Sequence, residues 1–199
     1  SLGSMAVGYY SILESAFRAN KINGFSSHHN DIAKIYSAFS NIAYKNNLGW
    51  DDKHYSEEEI MNSNESNPQI AFPYNKKHCA SWNVNQSAAI LLCSEKIADL
   101  LEIDIEKRVY LLAASENNNM IPTLQRENLT KPTGMKLAAD FILDICNKNK
   151  ITPNLYDLYS CFPIAVQMFA DALKINNISN TTVTGGMSFA GGPLNSYVL

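Results

Sequence analysis

The hydrophobic positions of this chain change period partway along its length. Tyr9, Ile12, Leu13, Ala16 and Phe17 recur at the three-and-four spacing of one helix face, and Gly24 is expected to end that helix. Ser26 or Ser27 restarts a helix carrying Ile32, Ile35, Tyr36, Phe39, Ile42 and Ala43, which Asn46-Asn47-Leu48-Gly49 closes. Ser56 followed by three glutamates opens a short helix to Met61, acids being favoured at a helix start. Beyond residue 80 the pattern becomes strand-length apolar runs alternating with helices. The expected strands are 87–93, 108–114, 155–159 and 181–184. The expected helices begin at Ser94, at Pro132 and near Pro163, and residues 116–131 read as an Asn-rich loop. This alternation predicts an α/β fold with a mostly parallel sheet and helices on both faces, plus an N-terminal helical layer. Residues 6–80 form the layer, residues 81–199 form the α/β domain, and residues 1–5 read as a cloning remnant.

Bulk properties narrow the function. The chain has 199 residues, 46% hydrophobic, with a net charge of -3. That suffices for one domain with a real core, and without a Lys/Arg stripe nothing suggests nucleic acid. The apolar runs are too short to span a bilayer. The four cysteines, Cys79, Cys93, Cys146 and Cys161, form no Cys-x-x-Cys pair and read as reduced thiols of a cytoplasmic protein.

The stretch from Asp157 to Pro193 carries the candidate chemistry. It reads as strand, tight turn, helix, strand and glycine loop, with Ser160 as a candidate cap and Pro163 in the first helical turn. Gly185, Gly186, Gly191, Gly192 and Pro193 fall within nine residues, a costly composition unless the backbone must turn with positive φ or lie against something.

This stretch resembles the C-terminal half of the thiolase superfamily. There a strand-to-helix turn carries Asn-Glu-Ala-Phe, or His-Asp-Cys-Phe in the sterol-carrier type, and a later loop carries Gly-Gly, four residues, then Gly-His-Pro. Here Tyr159-Ser160-Cys161-Phe162 stands at the turn, and Gly185-Gly186 with Gly191-Gly192-Pro193 at the loop. A third similar segment runs from Ile70-Ala71-Phe72-Pro73-Tyr74-Asn75-Lys76-Lys77 to Val84-Asn85-Gln86-Ser87-Ala88-Ala89. The combination most resembles bacterial thiolase-like proteins of the acetyl-CoA acetyltransferase type. The resemblance implies acyl transfer on coenzyme A thioesters, in lipid metabolism, with no separate cofactor. It also implies a nucleophilic cysteine in an N-terminal half that these residues lack. The last residues, 194–199, read as the opening of a further element, so the chain is expected to be a piece of a longer enzyme and inactive alone, and the resemblance allows a homo-oligomeric parent.

Two departures matter. Gly192 stands where the family has the histidine, and Tyr159 where it has the asparagine. An oxyanion site is then expected from Tyr159 with the Gly191 and Gly192 backbone, because a tyrosine hydroxyl keeps its proton at neutral pH. Tyr159 could equally be a strand-end tyrosine packed under the helix. Ser160, Cys161, Phe162, Gly185, Gly186 and Pro193 are the expected substrate-binding set. Cys161 sits where helix N–H groups could lower its pKa, yet a small buried thiol is the favoured reading over a cysteine hydrolase. Lys76, Lys77 and His78 could contact CoA phosphates or form a solvated charge cluster. His28-His29 with Asp31 lacks the second spaced pair of a metal site. Binding of CoA or an acyl chain without catalysis is the alternative function.

Overall fold

The computed structural model describes residues 5–119 and 121–198, so residues 1–4 of the expected remnant lie outside the described residues. The helices are α1 (Ala6–Asn20), α2 (Phe25–Lys45), α3 (Glu57–Met61), α4 (Glu95–Leu100), α5 (Thr133–Lys148) and α6 (Pro163–Ala172); the strands are β1 (Gln69–Ala71) and β2 (Tyr74–Asn75). The helices fall where the periodicity predicts them. α3 begins with a full capping box: the Glu59 N–H donates to Ser56 Oγ at 3.2 Å, and the Ser56 N–H donates to Glu59 Oε2 at 2.9 Å. Ser94 caps α4 through the Ile97 N–H at 3.4 Å.

Two helix ends differ from expectation. α1 stops at Asn20, Ile22 takes a left-handed φ of 52°, and Gly24 is instead the N-cap of α2. Ser160 does not cap α6; the cap position is Phe162, with Pro163 in the first turn. The Ser160 hydroxyl is committed elsewhere, accepting the Met187 N–H at 2.9 Å.

The sheet is where the sequence misleads. Among the described residues the only paired strands are β1 and β2, antiparallel, with Gln69 opposite Asn75 and Ala71 opposite Tyr74. The mostly parallel sheet expected from 87–93, 108–114, 155–159 and 181–184 is not formed as a ladder. One bond of that kind joins the last two stretches, from the Leu158 N–H to the Thr181 carbonyl at 2.9 Å. A run apolar on both faces specifies burial, but not which strand covers it. Ile90, Leu91 and Leu92, like Val109, Tyr110 and Leu111, stay exposed.

α6 is the centre of the molecule, apolar nearly all round as a surrounded helix must be. Its Val166 and Ala170 pack with Ile32, Tyr36 and Phe39 of α2 and with Leu158 and Phe189. Its Ile164, Ala165 and Met168 pack with Leu13 and Phe17 of α1, Tyr74 and Met187. Each fully buried apolar side chain of that size contributes roughly 1.5–3 kcal/mol. Residues from both sides of position 80 therefore share both cores.

A carboxylate lies inside this packing. Glu14 of α1 has no exposure. Its Oε1 accepts from His28 Nε2 of α2 at 2.7 Å and from Gln167 Nε2 of α6 at 2.8 Å, and its Oε2 accepts from the Tyr74 hydroxyl of β2 at 2.7 Å. One side chain thus joins three helices and the hairpin. Glu14→Ala leaves three buried donors without an acceptor, and urea unfolding should show a loss of about 3–5 kcal/mol. A loss below about 1 kcal/mol, the size of an ordinary substitution, would contradict the network.

Candidate functional site

The turn at residues 157–162 and the loop at 185–193 lie together, joined by the Ser160 hydroxyl to the Met187 N–H, and two flanking segments bond to their backbones. The Ala80 N–H donates to the Cys161 carbonyl at 3.1 Å, the Ser81 N–H to Met187 O at 2.9 Å, and the Gly192 N–H to Ser81 O at 2.8 Å. The linker after β2 is thereby stitched between turn and loop. On the other side, the N–H groups of Trp50 and Asp51 donate to the carbonyls of Ala190 (3.1 Å) and Phe189 (2.8 Å). Gln86 Nε2 adds bonds to Ala190 O at 2.8 Å and Leu48 O at 3.2 Å.

The glycines answer to close approach. Gly185 has φ 109°, and a Cβ there would run into the Ala43 backbone of α2; at Gly186, φ 75°, it would come within 2.8 Å of the Phe39 ring. Both amides are spent internally, donating to Thr182 Oγ1 at 3.0 and 3.1 Å. Gly191 abuts the Gln86 carboxamide, and Pro193 is half-buried at the loop's end.

The expected site residues separate into an inner and an outer group. Ser160, Cys161 and Phe162 are interior. Ser160 holds Met187, and Phe162 stacks on Tyr10 at 4.6 Å and Tyr74 at 5.6 Å. Burial pushes the Cys161 thiol up, while the neighbouring Tyr10 hydroxyl, the Phe162 and Cys161 backbone and the Tyr159 hydroxyl pull it part of the way back. The result is a neutral thiol at physiological pH and no activated nucleophile. Tyr159 is the outward member, 42% exposed. Burial of its remaining surface, then the neighbouring Cys161, raises its pKa, so the hydroxyl retains its proton as a donor. Of the two loop amides expected to join it, the Gly192 N–H is already engaged by Ser81.

Tyr197, Thr182 and Thr184 escaped the sequence reading as site residues, and Asp157 reads from the sequence only as a polar strand residue. Tyr197 meets Tyr159 edge to face at 6.1 Å and lies 3.4 Å from Ser160 Oγ through its hydroxyl. Asp157, Thr182 and Thr184 hold the loop through side-chain bonds. Their proximity depends on α6 and the segment after it carrying the chain back from residue 157 to residue 182, which no local pattern encodes.

The basic segment also resolves. Lys77 sits 3.6 Å over the Tyr55 ring, and burial lowers its pKa, offset by nearby Asp51. His78 is fully buried, its Nδ1 accepting the Asn75 N–H at 3.0 Å, so it is not placed to touch a phosphate in solvent. His28 binds Glu14, and the His29 ring lies 5.7 Å from that of His78. No helix among the described residues is long and apolar enough to cross a membrane.

Burial, reinforced by His29, drops the His78 pKa from 6.5 to about 3. The unfolded chain then binds the proton first as pH falls. Stability is therefore complete above about pH 6.5 and declines toward pH 3, by up to about 1.4 kcal/mol per unit. Urea unfolding between pH 8 and pH 4.5 should show this slope, and His78→Leu should flatten it; an unchanged slope in the variant would refute a buried neutral His78.

No family model matches the chain, and no curated protein matches it. Among solved structures it is similar to the crystal structure of a monomeric SCP2-thiolase-like protein type 1 from Mycobacterium smegmatis. The two are 27% identical with a TM-score of 0.79 over 96% of this chain and 42% of that one. The chain thus spans less than half the length of that protein, and its own fold is thiolase-like across nearly all its residues.

Proposed function

We propose that these residues form the C-terminal part of a thiolase-like acyltransferase of the acetyl-CoA C-acetyltransferase type, acting on acyl-CoA thioesters. The carrying observation is the thiolase-like fold over 96% of the chain, with Tyr159 outward and proton-bearing in the turn that Ser160 ties to the glycine loop. In this reading an N-terminal half outside these residues supplies the attacking cysteine. Its thiolate adds to the thioester carbonyl carbon, a new C–S bond forms, and the carbonyl electrons move onto oxygen. Collapse expels CoA as its thiolate and leaves an acyl-enzyme thioester. Tyr159 donates its O–H to the oxygen while it carries charge, taking the role an asparagine has in the family motif. Loop residues 191–193 border the substrate. Residues 81–199 carry the turn and loop of the thiolase-like domain, and residues 6–80 form a helical layer that shares its two cores. Free cysteines fit a cytoplasmic setting, and the parent protein could assemble with copies of itself.

The engaged Gly192 N–H favours a second reading, a CoA- or acyl-binding module without turnover. The test is thiolysis of acetoacetyl-CoA by the full-length protein. Turnover is expected there and none from residues 1–199 alone, and Tyr159→Phe should lower kcat by about 10²-fold with little change in KM. No turnover with any acyl-CoA, alongside calorimetric CoA binding, would leave only the module.

A further inference from the structure

The glycine loop is held by a side chain that belongs to neither the turn motif nor the loop. Asp157 Oδ1 accepts from the Thr182 hydroxyl at 2.7 Å, the Val183 N–H at 3.1 Å and the Thr184 hydroxyl at 3.3 Å. Thr182 Oγ1 in turn accepts the N–H groups of Gly185 at 3.0 Å and Gly186 at 3.1 Å. The proton count fixes the direction. An ionised carboxylate only accepts, so the single Thr182 proton points at Asp157 and both hydroxyl lone pairs remain for the two amides. From there the order propagates: the Gly186 carbonyl accepts the N–H groups of Phe189 at 3.2 Å and Ala190 at 2.8 Å, immediately before Gly191.

From this relay we infer that Asp157 is the positioning residue of the glycine loop, acting through the Thr182 hydroxyl. It stands two residues before Tyr159, so the same extended segment carries both the hydroxyl donor and the loop's anchor. A neutral hydroxyl in place of the carboxylate could donate its proton to Thr182, turn that hydroxyl round and remove one acceptor site from the amides. An oxygen that only accepts, and not merely a filled space, is what the loop needs. This inference rests on the acyl-transfer reading for its effect on rate, and on the hydrogen bonds alone for its effect on the loop.

The test uses the full-length protein with Asp157→Ala, Asp157→Asn, Thr182→Val and Thr182→Ser. Hydrogen exchange resolved to residues 182–190 reads the loop directly. Asp157→Ala and Thr182→Val should each speed exchange of the Gly185 and Gly186 amides by about tenfold, the size of one lost charge-supported hydrogen bond. Asp157→Asn should have a smaller effect, and Thr182→Ser should match wild type. With acyl-CoA, kcat should fall in the first two variants while KM stays near wild type, and Thr182→Ser should restore it. Unchanged amide exchange in both Asp157→Ala and Thr182→Val overturns the relay. Faster exchange with wild-type kcat overturns the positioning role. A wild-type protein without turnover removes the acyl-transfer reading instead, and the exchange comparison still decides whether Asp157 holds the loop.

Discussion

The constraint behind this structure is that a loop without a sheet has been buried. Residues 185–192 are nearly all inaccessible, yet they belong to no strand or long helix that would pair their backbone automatically. Each unpaired buried N–H or carbonyl costs about 1–3 kcal/mol, so partners have to come from elsewhere. Hydroxyls of Thr182 and Ser160, the Ser81 backbone, the Gln86 carboxamide and the chain after α2 supply them. Once those partners are fixed, the loop can lie against Ala43 and Phe39 only if positions 185 and 186 lack a Cβ. The glycines follow from the burial, and the burial follows from α2 and α6 closing over the loop.

The same logic governs the helical side. α1, α2 and α6 meet around Glu14, whose carboxylate takes three donors. A buried polar network of this kind adds little net stability over an apolar equivalent, but it tolerates few arrangements. Three helices and the hairpin hold their register where all three donors reach it. Because α6 begins at the turn after Tyr159, a fixed α6 also fixes where that turn emerges.

Helical elements were legible because their signals are local. The Ser56 capping box and the Tyr36–Phe39–Ala43 face need only neighbouring residues. The strands were legible only as segments. The runs at 88–92 and 109–112 have the composition of strands covered on both faces, but composition does not name the partner, and the described residues do not pair them. Glu14 was illegible because a carboxylate within an apolar stripe looks like the stripe's solvent edge; only the arrival of His28, Tyr74 and Gln167 from three other elements makes it interior. Cys161 shows the converse. Its position after an extended segment suggested activation, and the neutral reading prevails because burial outweighs the hydrogen bonds around it.

Gly192 separates steric from chemical causes at the candidate site. Unlike Gly185, Gly186 and Gly191, it does not have a positive φ. A Cβ there would meet the Met187 methyl at 3.2 Å and the Ser81 carbonyl at 3.4 Å, and the first of these is the end of a flexible side chain. The backbone therefore does not demand glycine where the resembled family carries histidine. Absence of an imidazole is a difference in chemistry, not a consequence of the turn. On the acyl-transfer reading proposed above, with the Gly192 amide bound to Ser81, charge stabilisation rests on Tyr159, the one side chain of the motif that faces outward and keeps a proton, and on the Gly191 backbone. A phenol is a stronger acid than a carboxamide, so it can give a stronger hydrogen bond to a developing oxyanion. Its longer reach also moves the donor outward from the backbone. Any thioester carbonyl served by it must sit further from the loop than one held between an asparagine and a histidine.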